Sequence, residues 1–535
     1  MMENMVEITE YLKNNVVYLS ALAQYNSERM PYLRMIYENL FRDGSINKRL
    51  ISFTDISMIL EKTAKEFYEN RDSNYLPRYL RDYYLFRSGE MSFINILEYI
   101  SNRYSGLNED DSKLNDAFYK KYGTSIHTFV EIFEWLTVTF LQRQNDSGFL
   151  HNHYAFNSKS EYGNLAFLSD VEAGRVDKWK AIISIDKKQL INEILEDNES
   201  FIREILGPTG YEQIINSGKE QTRREIETAL ELITVDVKNQ ISYESYFHIT
   251  KPILKINEEF FVPFPYIVPG ALPFILDVLI HDDDELENLE DKNKGELTEA
   301  IVTLALNKFK NKNLLKNIHY IKANNSVGEC DSALFLNNSI WAIEVKSHSL
   351  FKKFIYNDIG GYKVTALKKI SDGLKQGKAD LAFFSSNPNL LYNLGYPKSS
   401  INNLKKGIIV VLDSFVPTIF SQNESLDNKI FGLSELYDNL ENYRLFVISA
   451  LDLLKISSQY DKDNLEEFLL WRTCYPKKFP IFSLYEEDIW AYFEVYKNDN
   501  GERKNRFESA MQRQNVIFYN SARFGDKSYL KKFVG

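Results

Sequence analysis

Residues 328–346 include the carboxylates of Asp331 and Glu344 and the amine of Lys346. The first apolar run begins with the sequence GECD at residues 328–331, and the second is IWAIEVK at residues 340–346. Side chains alternate between the two faces of a strand, so Glu344 and Lys346 share one face of the second run. Hard cations such as Mg²⁺ bind carboxylate oxygens, and a nearby lysine can orient water and balance charge on a phosphate. The pattern therefore indicates metal-assisted chemistry on a phosphoryl group.

These groups must be positioned by two strands of one hairpin. Asn337 and Asn338 separate the two runs, and Asn is common in tight turns because it tolerates positive φ. A tight hairpin would bring Asp331 next to the end of the second strand, which carries Glu344 and Lys346. The simpler alternative is a surface hairpin whose charged side chains face only solvent.

Helices are predicted on both sides of the hairpin. In the first, Glu296 and Glu299 are three residues apart and lie on adjacent positions of one helix face. An acid near a helix start is also favoured by the helix dipole alone, and we prefer this interpretation for Glu296. The second helix is predicted over residues 366–379 and carries Gln376. The apolar run at residues 381–384 is interpreted as a strand.

This order of elements resembles the PD-(D/E)xK nuclease superfamily, whose restriction-endonuclease-like fold is shared by Holliday-junction resolvases and many defence nucleases. The resemblance covers residues 295–449, which is under a third of the chain. The proline of the motif is absent, and Cys330 stands in its place. The GExD form at residues 328–331 is similar to that of the resolvase-like and defence-type branches.

The resemblance implies a role for each matched residue. Asp331 and Glu344 would hold one or two Mg²⁺ ions, for which Mn²⁺ could substitute, and the carbonyl of Val345 would assist. Lys346 would position the nucleophilic water for in-line attack on phosphorus, with a 3′-hydroxyl as the leaving group. The implied metal ligands are Asp331, Glu344, Val345 and Glu299, and the implied catalytic residues are Asp331, Glu344, Lys346, Glu299 and Gln376, the last orienting phosphate or Lys346.

The charge distribution independently favours a nucleic-acid partner. The whole chain has a net charge of −11, but residues 296–410 contain 16 Lys and no Arg against 8 Asp and Glu. This segment therefore carries +8 and the remainder −19. A basic segment within an acidic protein suits contact with a phosphate backbone, and a solvated helix face is the alternative for any single lysine. The expected contributors are Lys352, Lys353, Lys368, Lys369, Lys375 and Lys378.

Composition limits the class of protein. A hydrophobic content of 44% over 535 residues allows several domains with large cores. The two cysteines, Cys330 and Cys474, provide neither a disulfide framework nor a zinc-finger pattern. Prolines and Asp277 interrupt the apolar stretch at residues 260–280, so we expect no membrane-spanning helix there. A cytoplasmic protein without a membrane partner is the expectation.

Four regions are predicted along the chain. Residues 1–255 form a mainly helical domain, with helical periodicity at residues 30–41, 129–141 and 190–205. Residues 256–294 form a Pro/aromatic and then acidic linker. Residues 295–455 form the α/β nuclease-like domain, a mixed sheet flanked by helices, with further buried strands at residues 407–413 and 443–449. Residues 456–535 form a helical C-terminal extension.

Other chemical patterns are weaker. The stretch at residues 373–379 is similar to a phosphate-binding loop, but it has three residues instead of four between its glycines, and a helix is the better interpretation. His151 and His153 could ligate a metal, although a surface pair is the simpler interpretation. His348 and Tyr362 are candidates for the edge of the hairpin site.

The sequence therefore predicts a metal-dependent nuclease of the restriction-endonuclease-like class, with DNA as its substrate and anti-phage defence or restriction as its setting. A second copy in a homodimer and a defence-system protein are the expected protein partners. Two alternatives stay open. One is a catalytically inactive nucleic-acid-binding module, which has no evident need for carboxylates near phosphate, and the other is a helical scaffold or interaction protein.

Overall fold

The structure is a computed structural model. It describes residues 113–146, 180–195, 222–236, 250–265, 268–309, 313–321, 327–347, 359–413, 442–459 and 462–474, together with residues 436, 440 and 493. The chain divides into two compact units. The first comprises residues 1–287 with residues 355–357 and 533–535, and the second comprises residues 288–354 and 358–532. The helix expected at residues 30–41 and the pair His151 and His153 lie outside the described residues.

The described helices of the first unit pack around one central helix. That helix is α2, which contains the periodic segment at residues 129–141 and so confirms this prediction. Helices α3, α4 and α5 all contact α2. Their bounds are α1 Lys113–Tyr122, α2 Ile126–Asp146, α3 Lys187–Leu195, α4 Arg223–Leu232 and α5 Val268–Ile280.

The first unit also contains a small sheet that the sequence did not predict. Its strands are β1 (Ser184–Ile185), β2 (Thr234–Asp236), β3 (Ile253–Ile256) and β4 (Glu259–Phe261), in the order β1-β4-β3-β2. Strands of two to four residues are too short to show a reliable two-residue period, which is why they were missed. Residues 1–255 are nevertheless mainly helical where they are described, as predicted, with these short strands in addition.

The second unit is built on a five-stranded mixed sheet. The elements follow the order α6 (Asp284–Leu306), β5 (Leu314–Ile321), β6 (Val327–Phe335), β7 (Ser339–Lys346), α7 (Ile359–Ser386), α8 (Pro388–Asn393), β8 (Lys405–Leu412), β9 (Tyr443–Ser449), α9 (Ala450–Gln459) and α10 (Lys462–Cys474). The sheet order is β5-β6-β7-β8-β9, in which the first two pairings are antiparallel and the last two are parallel. The buried strands expected at residues 407–413 and 443–449 are confirmed as β8 and β9.

Helices cover both faces of this sheet. Helix α7 packs on the face that carries Ile408 and Val410, where Gly377 and Gly373 allow close approach. On the opposite face, Phe468 of α10 makes an edge-to-face contact with Phe446 of β9, with ring centroids 6.1 Å apart. A mixed sheet flanked by helices is the α/β arrangement predicted from the sequence.

The linker predicted over residues 256–294 is wrong. This region contains the end of β3, strand β4, helix α5 and the first half of helix α6. The acidic run begins α6, where Asp283 accepts hydrogen bonds from the backbone N–H groups of Glu285 and Leu286. Acidic side chains are stabilised at a helix N-terminus, so the same composition that suggested a solvated linker suits a helix start.

The strand predicted at residues 381–384 is also wrong. These residues belong to helix α7, which continues without a break to Ser386. Leu381 and Phe384 are buried, and Phe384 packs edge to face against Phe335 of the sheet at a centroid distance of 5.4 Å. A short apolar run is ambiguous between a strand and a buried helix, and tertiary packing decided in favour of the helix.

Helix α5 contains part of the apolar stretch at residues 260–280, where we expect no membrane-spanning helix. It is 13 residues long and has Pro273 in its interior. Among the residues that the structure describes, no helix has both the length and the apolar character needed to cross a membrane.

Candidate active site

The predicted hairpin is confirmed as strands β6 and β7. Ala333 pairs with Ala342 and Phe335 with Ile340 in antiparallel register, and the Asn337-Asn338 turn is closed by a hydrogen bond from Leu336 N to Ser339 O at 2.9 Å. The paired residues end at Ser332 and Ile343, directly before Asp331 and Glu344. The two acids therefore lie where the regular pairing of β6 with β7 stops.

Asp331 is fixed by the neighbouring strand. Its Oδ2 accepts a hydrogen bond of 2.8 Å from the backbone N–H of Val345. Val345 lies between Glu344 and Lys346, so the bond ties Asp331 to the segment that carries both charged residues. The backbone carbonyl of Val345 stays a predicted ligand.

Glu344 and Lys346 form an ion pair at the end of β7. Lys346 Nζ lies 3.0 Å from Glu344 Oε2, and the two side chains are 16% and 1% exposed. The other oxygen, Oε1, is buried and has no hydrogen-bond partner among the described residues. An ion pair with one unsatisfied buried oxygen is poorly explained as a stabilising contact alone, since burying a charge is costly without full pairing.

The electrostatic field at Glu344 opposes its ionised form. Burial raises the pKa of Glu344, and the negative charge of Asp331 raises it further, whereas Lys346 lowers it. A cation placed between the two carboxylates would reverse the contribution of their mutual repulsion.

Helix α6 brings Glu299 toward the same place. Gly295 of this helix lies beside the end of β7, since a Cβ on this residue would lie 3.4 Å from Ser347 Oγ. Glu299 is one turn further along and remains open to solvent. Partial burial, followed by the charges of Asp331, Glu296 and Glu329, raises the pKa of Glu299. The charges of Glu299 and Asp331 thus interact, and a part for Glu299 in metal binding stays a prediction.

Gln376 is not brought into this group. Its side chain is exposed on α7, whereas Gly373 lies against the site, where an added Cβ would lie 3.6 Å from the Cβ of Glu344. The glycines of residues 373–379 thus serve close packing of a helix on the sheet, and this stretch is not a phosphate-binding loop. His348, Lys352 and Lys353 lie outside the described residues, as does the side chain of Tyr362.

A buried group beside Glu344 was not predicted from the sequence. Asp380 of α7 is fully buried, and its Oδ1 accepts a hydrogen bond of 2.6 Å from the hydroxyl of Tyr320 on β5. One ligand atom from each of Cys330, Glu344 and Asp380 lies within 4.8 Å of the others. The available signal was a charged residue within the apolar segment of residues 379–384, which is unusual on a buried helix face.

Burial is the main cause of the raised pKa values of Asp380, Tyr320 and Cys330. Burial raises the pKa of Asp380, and the hydrogen bond from the Tyr320 hydroxyl opposes this rise. Burial is likewise the main reason why the pKa values of Tyr320 and Cys330 are raised. Tyr320, Cys330 and Asp380 thus form a buried cluster next to the ion pair of Glu344 and Lys346, in which burial disfavours the charged form of each side chain.

The basic surface is partly visible on α7. Lys368 and Lys375 are exposed, while Lys369 and Lys378 are half-buried. Lys378 lies over the ring of Tyr443 at 5.7 Å from its centroid, so part of this surface is engaged in packing. The exposed lysines remain candidates for phosphate contacts.

The donor set fits the ion that the sequence pattern implies. Mg²⁺ takes oxygen ligands and is usually held by one or two carboxylates with several waters. Asp331 and Glu344 supply carboxylates from the neighbouring strands β6 and β7, and Glu344 Oε1 has no hydrogen-bond partner among the described residues. The residues present are therefore able to hold Mg²⁺ or Mn²⁺.

Comparison of the chain with protein-family models, curated proteins and solved structures finds no match.

Proposed function

We propose that this protein is a metal-dependent nuclease that hydrolyses phosphodiester bonds, with DNA as its substrate. The observation that carries the proposal is the arrangement at the end of β7. Buried Glu344 contacts Lys346 at 3.0 Å, and Asp331 is held to the same segment by Val345 N–H. Two carboxylates and an amine at one partly open strand end suit a metal-assisted attack on phosphate better than they suit a stabilising role.

Each side chain has a defined part in this proposal. Asp331 and Glu344 would bind the cation, which when bound polarises a phosphoryl oxygen and lowers the pKa of water. Lys346 is the positive group that orients the attacking water and balances charge developing on the phosphate. Val345 N–H holds Asp331 in place, and Glu299 contributes further negative charge from α6. In-line attack releases a 3′-hydroxyl.

Two further observations support the proposal. The helix, two strands and helix on which the resemblance to the PD-(D/E)xK superfamily rests correspond to α6, β6, β7 and α7, although β5 precedes β6 and the strand expected at residues 381–384 belongs to α7. The net charge of +8 over residues 296–410 provides attraction for a polyanion within an acidic chain. A role as a defence or restriction effector rests only on the joining of such a domain to a large N-terminal region.

The test is a cleavage assay with the full-length protein. Supercoiled plasmid, linear duplex, single-stranded DNA and RNA are each incubated with Mg²⁺, Mn²⁺ or EDTA. We expect cleavage of DNA that requires the metal and is lost in Asp331→Asn and Lys346→Ala. Lys405→Ala is the matched control, because Lys405 is exposed at the opposite end of the same sheet and should not affect cleavage.

Binding measurements on the same proteins identify the alternative. If the wild type binds DNA but cleaves no substrate with either metal, and the two site variants bind equally well, the chain is a nucleic-acid-binding module and the nuclease proposal fails. Cleavage that persists in Lys346→Ala would equally contradict the assignment of the site.

A further inference from the structure

The cluster beneath the ion pair joins three elements of the second unit. Cys330 comes from β6, Glu344 from β7 and Asp380 from α7, and all three side chains are at most 1% exposed. Their nearest ligand atoms lie within 4.8 Å of one another. One sulfur and two carboxylates converging at this distance match the donor types of a small divalent-cation site.

The two carboxylates are incompletely satisfied. Glu344 Oε1 and Asp380 Oδ2 are both buried, and neither has a hydrogen-bond partner in the part of the chain that the structure describes. Two carboxylates cannot attract one another unless a positive species lies between them, which is either a shared proton or a metal cation. A shared proton is the alternative to a cation. The Cys330 thiol, which donates to the backbone carbonyl of Ser332 at 3.3 Å, would give up that bond on binding a cation.

Asp380 accepts a hydrogen bond from a second residue, as metal ligands commonly do. The Tyr320 hydroxyl donates to Asp380 Oδ1 at 2.6 Å, and the Tyr320 ring stacks on Phe383 with centroids 4.5 Å apart. Such an outer hydrogen bond fixes the direction of a ligand carboxylate and leaves its second oxygen available. That second oxygen is the unpartnered Oδ2 of Asp380.

We propose that Cys330, Glu344 and Asp380 bind a second divalent cation, of the class that accepts thiolate and carboxylate ligands, such as Zn²⁺ or Fe²⁺. Binding releases the thiol proton of Cys330 to solvent and forms a metal–sulfur bond. Mg²⁺ is disfavoured at this position because it prefers oxygen donors. The site shares Glu344, including its unpartnered Oε1, with the position proposed for Mg²⁺, and it would fix the orientation of that carboxylate.

This site rests on the cluster alone and does not require nuclease activity. The test uses Co²⁺, which substitutes for Zn²⁺ and gives a near-ultraviolet thiolate-to-metal charge-transfer band. Full-length protein is expressed in Co²⁺-supplemented minimal medium, so that the ion can enter the buried site during folding. We expect one tightly held Co²⁺ per chain and the band in the wild type.

The variants assign the ligands. The band should be lost in Cys330→Ser, and metal content should fall about tenfold or more in Asp380→Asn. Tyr320→Phe keeps the ring stacking but removes the hydrogen bond to Asp380, so it should weaken binding by roughly tenfold. Cys474→Ser controls for the second thiol and should retain the band, and circular dichroism verifies folding of each variant.

Two results would overturn the inference. One is wild-type protein that folds without retained Co²⁺ or Zn²⁺, which would assign a shared proton to the carboxyl pair. The other is a band that survives Cys330→Ser and disappears in Cys474→Ser. Either outcome leaves the Mg²⁺-dependent cleavage assay unaffected, so this inference and the proposed nuclease can fail separately.

Discussion

A buried glutamate lies at each end of strand β7, and the two differ in their hydrogen-bond partners. At its beginning, Glu466 of α10 accepts hydrogen bonds from Asn338 N at 2.8 Å and from Ser339 Oγ at 2.6 Å. At its end, Glu344 contacts Lys346 and has one oxygen without a partner among the described residues. Both carboxylates are almost completely buried.

The difference separates a structural acid from a candidate functional one. The donors around Glu466 are a backbone N–H and a hydroxyl, which hold the β6–β7 turn and need no further ligand. Trp341 continues this network by donating to Ser339 Oγ at 2.9 Å. Glu344 instead faces two other carboxyl groups, so its surroundings are complete only when a proton or a cation is added.

The largest expected effect is on activity and compares the two glutamates directly. Glu344→Gln should lower metal-dependent cleavage by about a hundredfold to a thousandfold, because it removes the negative charge that binds the cation and pairs with Lys346. Glu466→Gln keeps an oxygen acceptor for the turn and should leave cleavage unchanged. Initial rates on the preferred DNA substrate measure both. Equal losses in the two variants would contradict the distinction.

The next effect tests the packing of the first half of β7. Gly407→Ala should destabilise the second unit by about 3 kcal/mol, since the new Cβ would lie 2.1 Å from the ring of Trp341. Chemical denaturation followed by tryptophan fluorescence measures the change. Lys405→Ala, two residues earlier and exposed, should stay within about 0.5 kcal/mol of the wild type. An unchanged Gly407→Ala protein would mean that Trp341 moves without cost.

Removing the structural acid should cost stability but not chemistry. Glu466→Ala leaves the Asn338 N–H and the Ser339 hydroxyl without their acceptor, and we expect a loss of about 2 kcal/mol in the free energy of unfolding. Glu466→Gln is the matched control with a smaller loss. Cleavage per folded molecule should be retained, and a selective loss of cleavage in a stable Glu466→Ala protein would refute a purely structural role.

The last effect depends on pH and concerns a third buried glutamate, Glu134 of α2 in the first unit. Burial, followed by the charge of Glu131, raises the pKa of Glu134 from 4.5 to about 8. The folded protein thus keeps a proton that the unfolded chain loses, so this group makes stability fall as pH rises between these values, by up to about 1.4 kcal/mol per pH unit.

Glu134→Gln should remove that dependence. The variant should gain stability relative to the wild type as pH rises from about 5 to about 8, because its amide never ionises. Denaturant titrations at several pH values in the presence of EDTA measure the difference. A constant difference between the two proteins across this range would show that Glu134 does not carry the predicted proton.

Several elements were predictable because their signals are local. The two-residue alternation of IWAIEVK fixed the shared face of Glu344 and Lys346, and the Asn pair fixed the turn between β6 and β7. The apolar runs of β8 and β9 were long enough to identify as strands. The acidic start of α6 and the last turn of α7 were misassigned, because composition alone does not distinguish a linker from a helix start or a strand from a buried helix.

The sequence by itself determined the hairpin and the shared face of Glu344 and Lys346, since strand period and turn chemistry act over a few residues. Tertiary structure decided that Gln376 points away, that Glu344 is buried, and that Asp380 lies beside it. Tyr320 and Asp380 are 60 residues apart in the chain. Their contact depends on how α7 packs across the sheet, and the unpartnered oxygens arise from the same packing because it excludes water from the carboxylates.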